Sequence, residues 1–313
     1  MTTGKTKQTN GISGSFKDKN FKDAVCAKIG KSTSSEIYSS DVNRITALDV
    51  SSKGIKDLSG IEHFTVLMSL SCYNNQITSL DLSKNAALTT LSCSGNQLTS
   101  INVSKNAALT TLSCYNNKLT SLDISGSAAI TGLACDRNQL TSLDVSRNAA
   151  LTKLFCYSNR LTSLDVSKNI ALTTLSCHTN KIVSLNVSGN AALTTLSCSD
   201  NHLATLDVSN NTALTWLACD RNKLTALGVS NNTGLVTLSC HTNRLTALDV
   251  SNSRALDSLQ CDSNCLTSLN VQNNTALTCL SCYGNNMADE SAVIGFTGVW
   301  DGEYFVFAPQ KQI

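Results

Sequence analysis

Residues 88–108 read LTTLSCSGNQLTSINVSKNAA, and close variants of this 21-residue stretch follow one another along most of the chain. Eleven cysteines mark the period, because each lies 21 residues after the one before. They are Cys72, Cys93, Cys114, Cys135, Cys156, Cys177, Cys198, Cys219, Cys240, Cys261 and Cys282. A short period without insertions is typical of a solenoid, in which each turn contacts only its neighbours. The repeat therefore decides the architecture before any side-chain chemistry is considered.

Two parts of each repeat alternate apolar and polar residues, as strands do. In residues 90–94, Leu91 and Cys93 are expected to point inward and the other three side chains outward. Residues 100–103 are expected to form a second strand-like segment on the opposite wall.

Two columns of asparagine accompany the apolar positions. Asn96 and its equivalents follow the cysteine in every repeat, at a bend where a buried amide can bond backbone groups that the turn leaves unpaired. Asn106 represents a second column, in which Ser127 and Ser253 replace two asparagines. We expect this second column to serve the other turn of each repeat.

The pattern L-x-x-L-x-C-x-x-N-x-L resembles the leucine-rich repeat, with cysteine in place of the third strand leucine. Together with the second half, LTSLDVSKN, it is similar to bacterial surface leucine-rich-repeat proteins, including the cysteine-ladder internalins, over roughly residues 45–290. The resemblance implies an α/β-class right-handed superhelix of short parallel strands and turns with little helix. It also implies a non-enzymatic binding module that is secreted or at the cell surface. A cytoplasmic location stays an alternative.

The two ends of the chain depart from the repeat, and a solenoid needs caps to cover its terminal turns. Residues 1–15 have no apolar stretch of the signal-peptide type. Asp301-Gly302 between aromatic runs is a hairpin signal. The predicted organisation is a flexible tail at 1–15, a helical N-terminal cap at 16–44, a divergent capping repeat at 45–66, eleven 21-residue repeats at 67–290 and a β-hairpin C-terminal cap at 291–313.

Composition narrows the class of partner. The formal net charge is +2 and charged residues make up 15%, so no global field favours nucleic acid or a membrane surface. No apolar run approaches the ~20 residues needed to cross a bilayer. We expect a protein or carbohydrate ligand, no nucleic acid, no membrane insertion and a monomeric chain.

The cysteines are expected to be structural rather than catalytic or metal-binding. Stacked turns place equivalent residues ~4.8 Å apart with parallel side chains, which favours reduced apolar fillers over disulfides. Cys261, Cys265, Cys279 and Cys282 have the spacing of a zinc site but should point in different directions. A cysteine and a histidine adjacent on a strand face opposite sides, which excludes that nucleophile pair. No cofactor, metal or enzymatic activity is predicted.

The outward positions of the first strand, and the loop after it, vary most between repeats and carry the aromatic residues of the repeats. Tyrosine, tryptophan and arginine are enriched at binding hot spots. We therefore predict ligand-binding residues at Tyr115, Arg137, Phe155, Tyr157, Arg160, His178, Trp216, Asp220, Arg221, His241 and Arg244.

Other functions stay open at this point. Duplication of blocks of repeats would also produce the recurring Asp-Arg and His-Thr pairs, and the chain would then be a spacer or stalk without a ligand. A glycan-specific adhesin is a further alternative. The array of Thr90, Ser92 and their equivalents suggests ice binding, although Lys153 and Phe155 interrupt it. The aspartates of the second strand could hold calcium or bond locally.

Overall fold

The computed structural model describes residues 11–311, so residues 1–10 of the predicted tail and residues 312–313 of the predicted C-terminal cap lie outside the described residues. The chain divides into two compact units, Met1–Leu140 and Thr141–Ile313. Each unit is a parallel β-solenoid, which confirms the predicted fold class.

The first unit opens with short helical segments. A 3₁₀ turn at Ser13–Ser15 precedes helix α1 (Lys19–Lys28) and helix α2 (Ser39–Val42). The Asp18 carboxylate caps α1 by accepting the Phe21 N–H at 3.0 Å. Gly11 forms an antiparallel bridge with Tyr38, so residues 11–15 join the cap rather than the predicted tail.

The remainder of the first unit is a stack of parallel strands one repeat apart. Equivalent leucines stand opposite each other, as Leu91 and Leu112 do. The strands are β1 (Ala47–Asp49), β2 (Ser69–Ser71), β3 (Thr90–Ser92), β4 (Thr111–Ser113) and β5 (Gly132–Ala134). A 3₁₀ turn at Ile61–His63 lies between the first two.

The second unit continues the same construction. Its strands are β6 (Lys153–Phe155), β7 (Thr174–Ser176), β8 (Thr195–Ser197), β9 (Trp216–Ala218), β10 (Thr237–Ser239), β11 (Ser258–Gln260), β12 (Leu269–Asn270), β13 (Cys279–Ser281), β14 (Val293–Ile294) and β15 (Phe305–Val306). A 3₁₀ turn at Glu290–Ala292 precedes β14.

The hairpin predicted at the C-terminal end is wrong. β14 pairs in parallel with β12, and β15 pairs in parallel with β13, so each strand extends a different wall. The Asp301 carboxylate accepts the N–H groups of Glu303, Tyr304 and Phe305, each at 2.9 Å, and this turn leads directly into β15. The free edge of the last repeat strand offers unpaired backbone groups, and β15 satisfies them.

The interior of each unit is built from the predicted ladders. All eleven ladder cysteines are buried and free. The Asn201 amide donates to the carbonyls of Cys177 and Cys198, both at 3.1 Å, and its Oδ1 accepts the Ile182 N–H. In the second column the Asn190 amide donates to the Val166 and Asn169 carbonyls. Both asparagine columns are therefore structural, as predicted.

The second wall is less regular than predicted. Isolated bridges, such as that between Asp249 and Asn270, occur at a few positions on it, and within residues 11–311 only β12 and β14 form strands there. The cause is a local turn: Asp207 Oδ1 accepts the N–H of Ser209, two residues on, at 2.9 Å. Each such turn bends the chain before a longer strand can form.

Candidate ligand-binding face

The strand face of the second unit comprises the outward side chains of β6–β11 and β13, with the loop residue that follows each ladder cysteine. A shallow, open concavity of about 400 Å³ lies on it. Four predicted site residues line this concavity: His178, Trp216, Asp220 and His241. Trp216 is 36% exposed at the start of β9. These four residues are brought together although they come from different repeats.

The Asp220 side chain bonds to three other side chains that line the concavity. Its Oδ1 accepts the Ser199 hydroxyl at 2.6 Å and the Ser239 hydroxyl at 3.1 Å. Its Oδ2 lies 3.3 Å from Nε2 of His241. The carboxylate therefore ties together the loops and strands of three successive repeats, which holds the floor of the concavity rigid.

The loop after the strand places a left-handed residue at the same position in every repeat that has a ladder cysteine. The second residue after each ladder cysteine has a positive φ, including Arg221 at 50°, Thr179 at 55° and Thr242 at 52°. β-Branched residues rarely adopt this left-handed region. Each of the two threonines has its Oγ1 within hydrogen-bonding distance of Nδ1 of the preceding histidine, at 3.1 Å for His178 and 2.9 Å for His241.

The aromatic residues at the N-terminal side of this face are partly covered. The rings of Tyr157 and His178 stack with centroids 4.4 Å apart and planes 13° from parallel. Phe155 is half-buried at the end of β6. Neither Phe155 nor Tyr157 lines the concavity itself. Tyr157 is next to the concavity through its stack on His178, which does line it.

The arginines predicted to bind the ligand do not line the concavity. Arg160, Arg221 and Arg244 are exposed on the loops that follow the strands, outside the lining of the concavity. Tyr115 and Arg137 belong to the first unit, where both are exposed and Arg137 takes a φ of 52°. The assignment of all these residues to ligand binding stays a prediction.

Sequence reasoning missed Ser199, Ser239 and Gln260, which also line the concavity. Ser239 occupies a position where serine recurs in most repeats, so nothing marks it, and Ser199 shares its variable position only with Ser94. The available signal was Asp220 itself, because a carboxylate pointing out of a parallel stack needs donors from the repeats on either side. Those donors are 19 and 21 residues away.

The buried cysteine thiols beneath the strand face are protonated and unreactive. Burial raises the pKa of Cys177 to about 12 and raises the pKa of Cys219 well above its ordinary range. Thiolates are the reactive and metal-binding form, so these sulfurs act as packing atoms. Among residues 11–311, no group of three or more histidine, cysteine and acidic side chains could hold a metal ion.

The second-wall aspartates bond locally. Asp165 and Asp207 each accept the backbone N–H of the serine two residues on, at 2.9 Å. Hydrogen bonds from Ser209 lower the pKa of Asp207. The Oδ1 atoms of these carboxylates thus make the local backbone bonds that the local alternative requires.

Comparison with known proteins identifies the family. The chain is 41% identical over 84 residues to internalin J of Listeria monocytogenes serotype 4b (strain F2365), a match of 27% of this chain and only 9% of that protein. The functional domain of internalin J from Listeria monocytogenes, which includes a cysteine ladder, superimposes with a TM-score of 0.84 and 39% identity over 93% of this chain and 70% of that domain. The chain belongs to the internalin-type leucine-rich-repeat proteins. The cysteine-ladder resemblance predicted from the sequence is confirmed.

More distant structures share the leucine-rich-repeat fold alone. The internalin inlF of Listeria monocytogenes has a TM-score of 0.75 at 20% identity and covers 93% of this chain and 97% of its own. The leucine-rich-repeat ectodomain of the Arabidopsis thaliana receptor kinase GASSHO1/SCHENGEN3, in complex with CASPARIAN STRIP INTEGRITY FACTOR 2, has a TM-score of 0.71 at 23% identity over 80% of this chain and 34% of its own. No family model matches this internalin-type sequence. Within the described part of the chain, no helix is long and apolar enough to cross a bilayer.

Proposed function

We propose that this chain is a non-enzymatic recognition module of a secreted or surface-exposed protein, and that its strand face binds a protein ligand. The observation that carries the proposal is the concavity around Asp220, where Trp216 and two histidines stand on a rigid sheet. Preorganised side chains lose little conformational entropy on binding, which favours affinity. A leucine-rich-repeat ectodomain of the same fold in complex with a factor, as in the plant receptor, supports a protein rather than a sugar as the ligand.

The proposed site extends from the concavity to its neighbours. Trp216 supplies apolar area, and the Asp220–His241 pair supplies a donor and an acceptor held in fixed positions. Tyr157 and Phe155 on β6 and the loop after it would contact the ligand at one side, and Arg221 would contact it from the loop after β9. Tyr115 and Arg137 remain candidates on the first unit.

The experiment is an array of purified extracellular proteins and glycans probed with the full chain and with two variants. The face variant carries Trp216→Thr, Asp220→Ser and His241→Ser, residue types that other repeats hold at these positions. The control carries Ile170→Thr and Val183→Thr, exposed apolar residues away from the strand face. We expect protein signals that the face variant loses and the control keeps.

A spacer without a ligand is the competing function. It predicts no specific signal, or equal signals for all three proteins. Signals confined to neutral glycans and dependent on Trp216 would replace the protein ligand by a sugar, because exposed aromatic rings also stack on sugar faces.

A further inference from the structure

A row of basic side chains runs along one edge of the second unit, outside the strand-face concavity. The fourth residue after the ladder cysteine is basic in five successive repeats. We call this set the basic row; it consists of Arg160, Lys181, His202, Lys223 and Arg244. All five residues are exposed. The same position holds neutral residues in most other repeats, including Gln76, Gln97 and Gln139, so the repeat itself does not require a cation there.

The backbone fixes these residues in register. The N–H of Lys181 donates to the carbonyl of Leu161, the residue after Arg160, at 2.8 Å. Lys223 and Arg244 make the equivalent bonds to Leu203 and Leu224, also at 2.8 Å. Successive members are therefore separated by about one sheet spacing, ~4.8 Å at the backbone.

The charges of the row are not neutralised within the described part of the protein. None of the five side chains forms an ion pair with a carboxylate of residues 11–311. Asp200 is the acidic residue of the neighbouring loop column, and Arg221 adds a further cation in that column. Like charges about one sheet spacing apart repel each other, and solvent screens exposed side chains only in part. An external anion would offset this repulsion.

We propose that the basic row binds a linear acidic polysaccharide that carries one carboxylate or sulfate on each successive sugar. The proposal goes beyond the protein ligand of the strand face, because it uses a different surface and a different class of ligand, although Arg160 and Arg244 were predicted as part of the strand-face site. An extended polypeptide presents side chains of one face about every 6.7 Å, which falls out of step with a row at ~4.8 Å. The length of one sugar residue along a polysaccharide chain is closer to the ~4.8 Å spacing of the row.

The test measures binding of the full chain to immobilised polygalacturonate, dextran sulfate, uncharged dextran and polyglutamate in low salt. The row variant carries Lys181→Gln and Lys223→Gln, which copy the glutamines of the first unit. The control variant carries Lys168→Gln and Arg254→Gln, which remove the same charge from exposed positions elsewhere on the second unit. Native circular dichroism and the melting temperature verify that both variants fold.

We expect wild type and control to bind polygalacturonate or dextran sulfate with equal affinity, and the row variant to bind about tenfold more weakly with a shallower salt dependence. Uncharged dextran should not bind. The proposal is overturned if the row variant binds like wild type, if the control loses as much affinity, or if polyglutamate is preferred through the same lysines, which would indicate an acidic protein.

The protein-binding strand face and the polysaccharide-binding basic row can be tested independently of each other. Trp216→Ala should leave polysaccharide binding unchanged, and the row variant should leave the strand-face protein signal unchanged. Loss of polysaccharide binding in Trp216→Ala would merge the two surfaces and contradict an independent row.

Discussion

At the scale of single residues, buried amides and thiols hold the turns of each unit together. Each asparagine of the second column donates two hydrogen bonds to carbonyls that are sealed from water, as Asn190 does. Where a serine replaces asparagine, its hydroxyl takes over part of the role: Ser253 Oγ donates to the Asn232 carbonyl at 3.4 Å. The column therefore depends on a donor and tolerates a change in side-chain shape.

Asn190→Ala should lower the free energy of unfolding by about 2–4 kcal/mol, because two buried carbonyls lose their donor. Asn190→Ser should cost distinctly less, since the serine hydroxyl can donate as Ser253 does. Urea denaturation followed by circular dichroism measures both. Equal losses for the two variants would show that the amide packs rather than bonds.

The loop after each strand is the element that sets the strand face. In unit 2 its left-handed residue uses its N–H to bond the next repeat, as Thr242 does to the Asp262 carbonyl at 2.9 Å. The N–H can make this bond only when the residue has a positive φ, so every residue at this position adopts that φ regardless of its side chain. Two repeats of the first unit place asparagine at this position, at Asn74 and Asn116, and asparagine enters this region readily.

Thr242→Asn should therefore stabilise the protein by about 0.5–1 kcal/mol, because it removes β-branching from a left-handed residue. The matched control is Thr237→Asn in β10, which should destabilise because asparagine is disfavoured in strands. Both are compared by thermal unfolding. Destabilisation by both changes would mean that the contact between Thr242 and His241 outweighs the strain.

These elements also show what the sequence could and could not predict. The inward leucines, cysteines and asparagines followed from the 21-residue period, because a stack repeats one burial pattern. The hydrogen bonds of Asp220 could not be predicted in this way. Its partners Ser199 and Ser239 lie in neighbouring repeats, and neither serine is distinguished by the sequence of its own repeat. The turn at Asp301 was wrongly predicted to be a hairpin. Turn residues indicate that the chain changes direction, but they do not determine which strand β15 pairs with.

At the scale of the whole molecule, the ladder makes stability depend on alkaline pH. Burial raises the pKa of Cys93 and Cys177 to about 12 in the folded state, well above the ordinary range for a thiol. A folded pKa raised above the unfolded value contributes stability that is complete below the unfolded pKa and is lost as pH rises toward the folded one. The affected window therefore runs from about pH 8.5 to about pH 12.

The urea midpoint should accordingly fall steeply as the pH rises above about 8.5. Each fully buried thiol contributes about 1.4 kcal/mol per pH unit within the window. A variant with Cys93→Ala and Cys177→Ala will start less stable because it has two cavities, but its decline with pH should be shallower by about two such contributions. Parallel pH profiles for the variant and wild type would contradict the buried, protonated ladder.

The central claim is that the stacked repeats of the second unit present their strand face for recognition. Its most direct test is the affinity of the full chain for the protein ligand that the array identifies, measured for Trp216→Ala, Tyr157→Ala and the exposed control Val183→Ala. We predict that Trp216→Ala weakens binding by about tenfold or more, that Tyr157→Ala also weakens it, and that Val183→Ala leaves it unchanged. Wild-type affinity in both Trp216→Ala and Tyr157→Ala would contradict the claim.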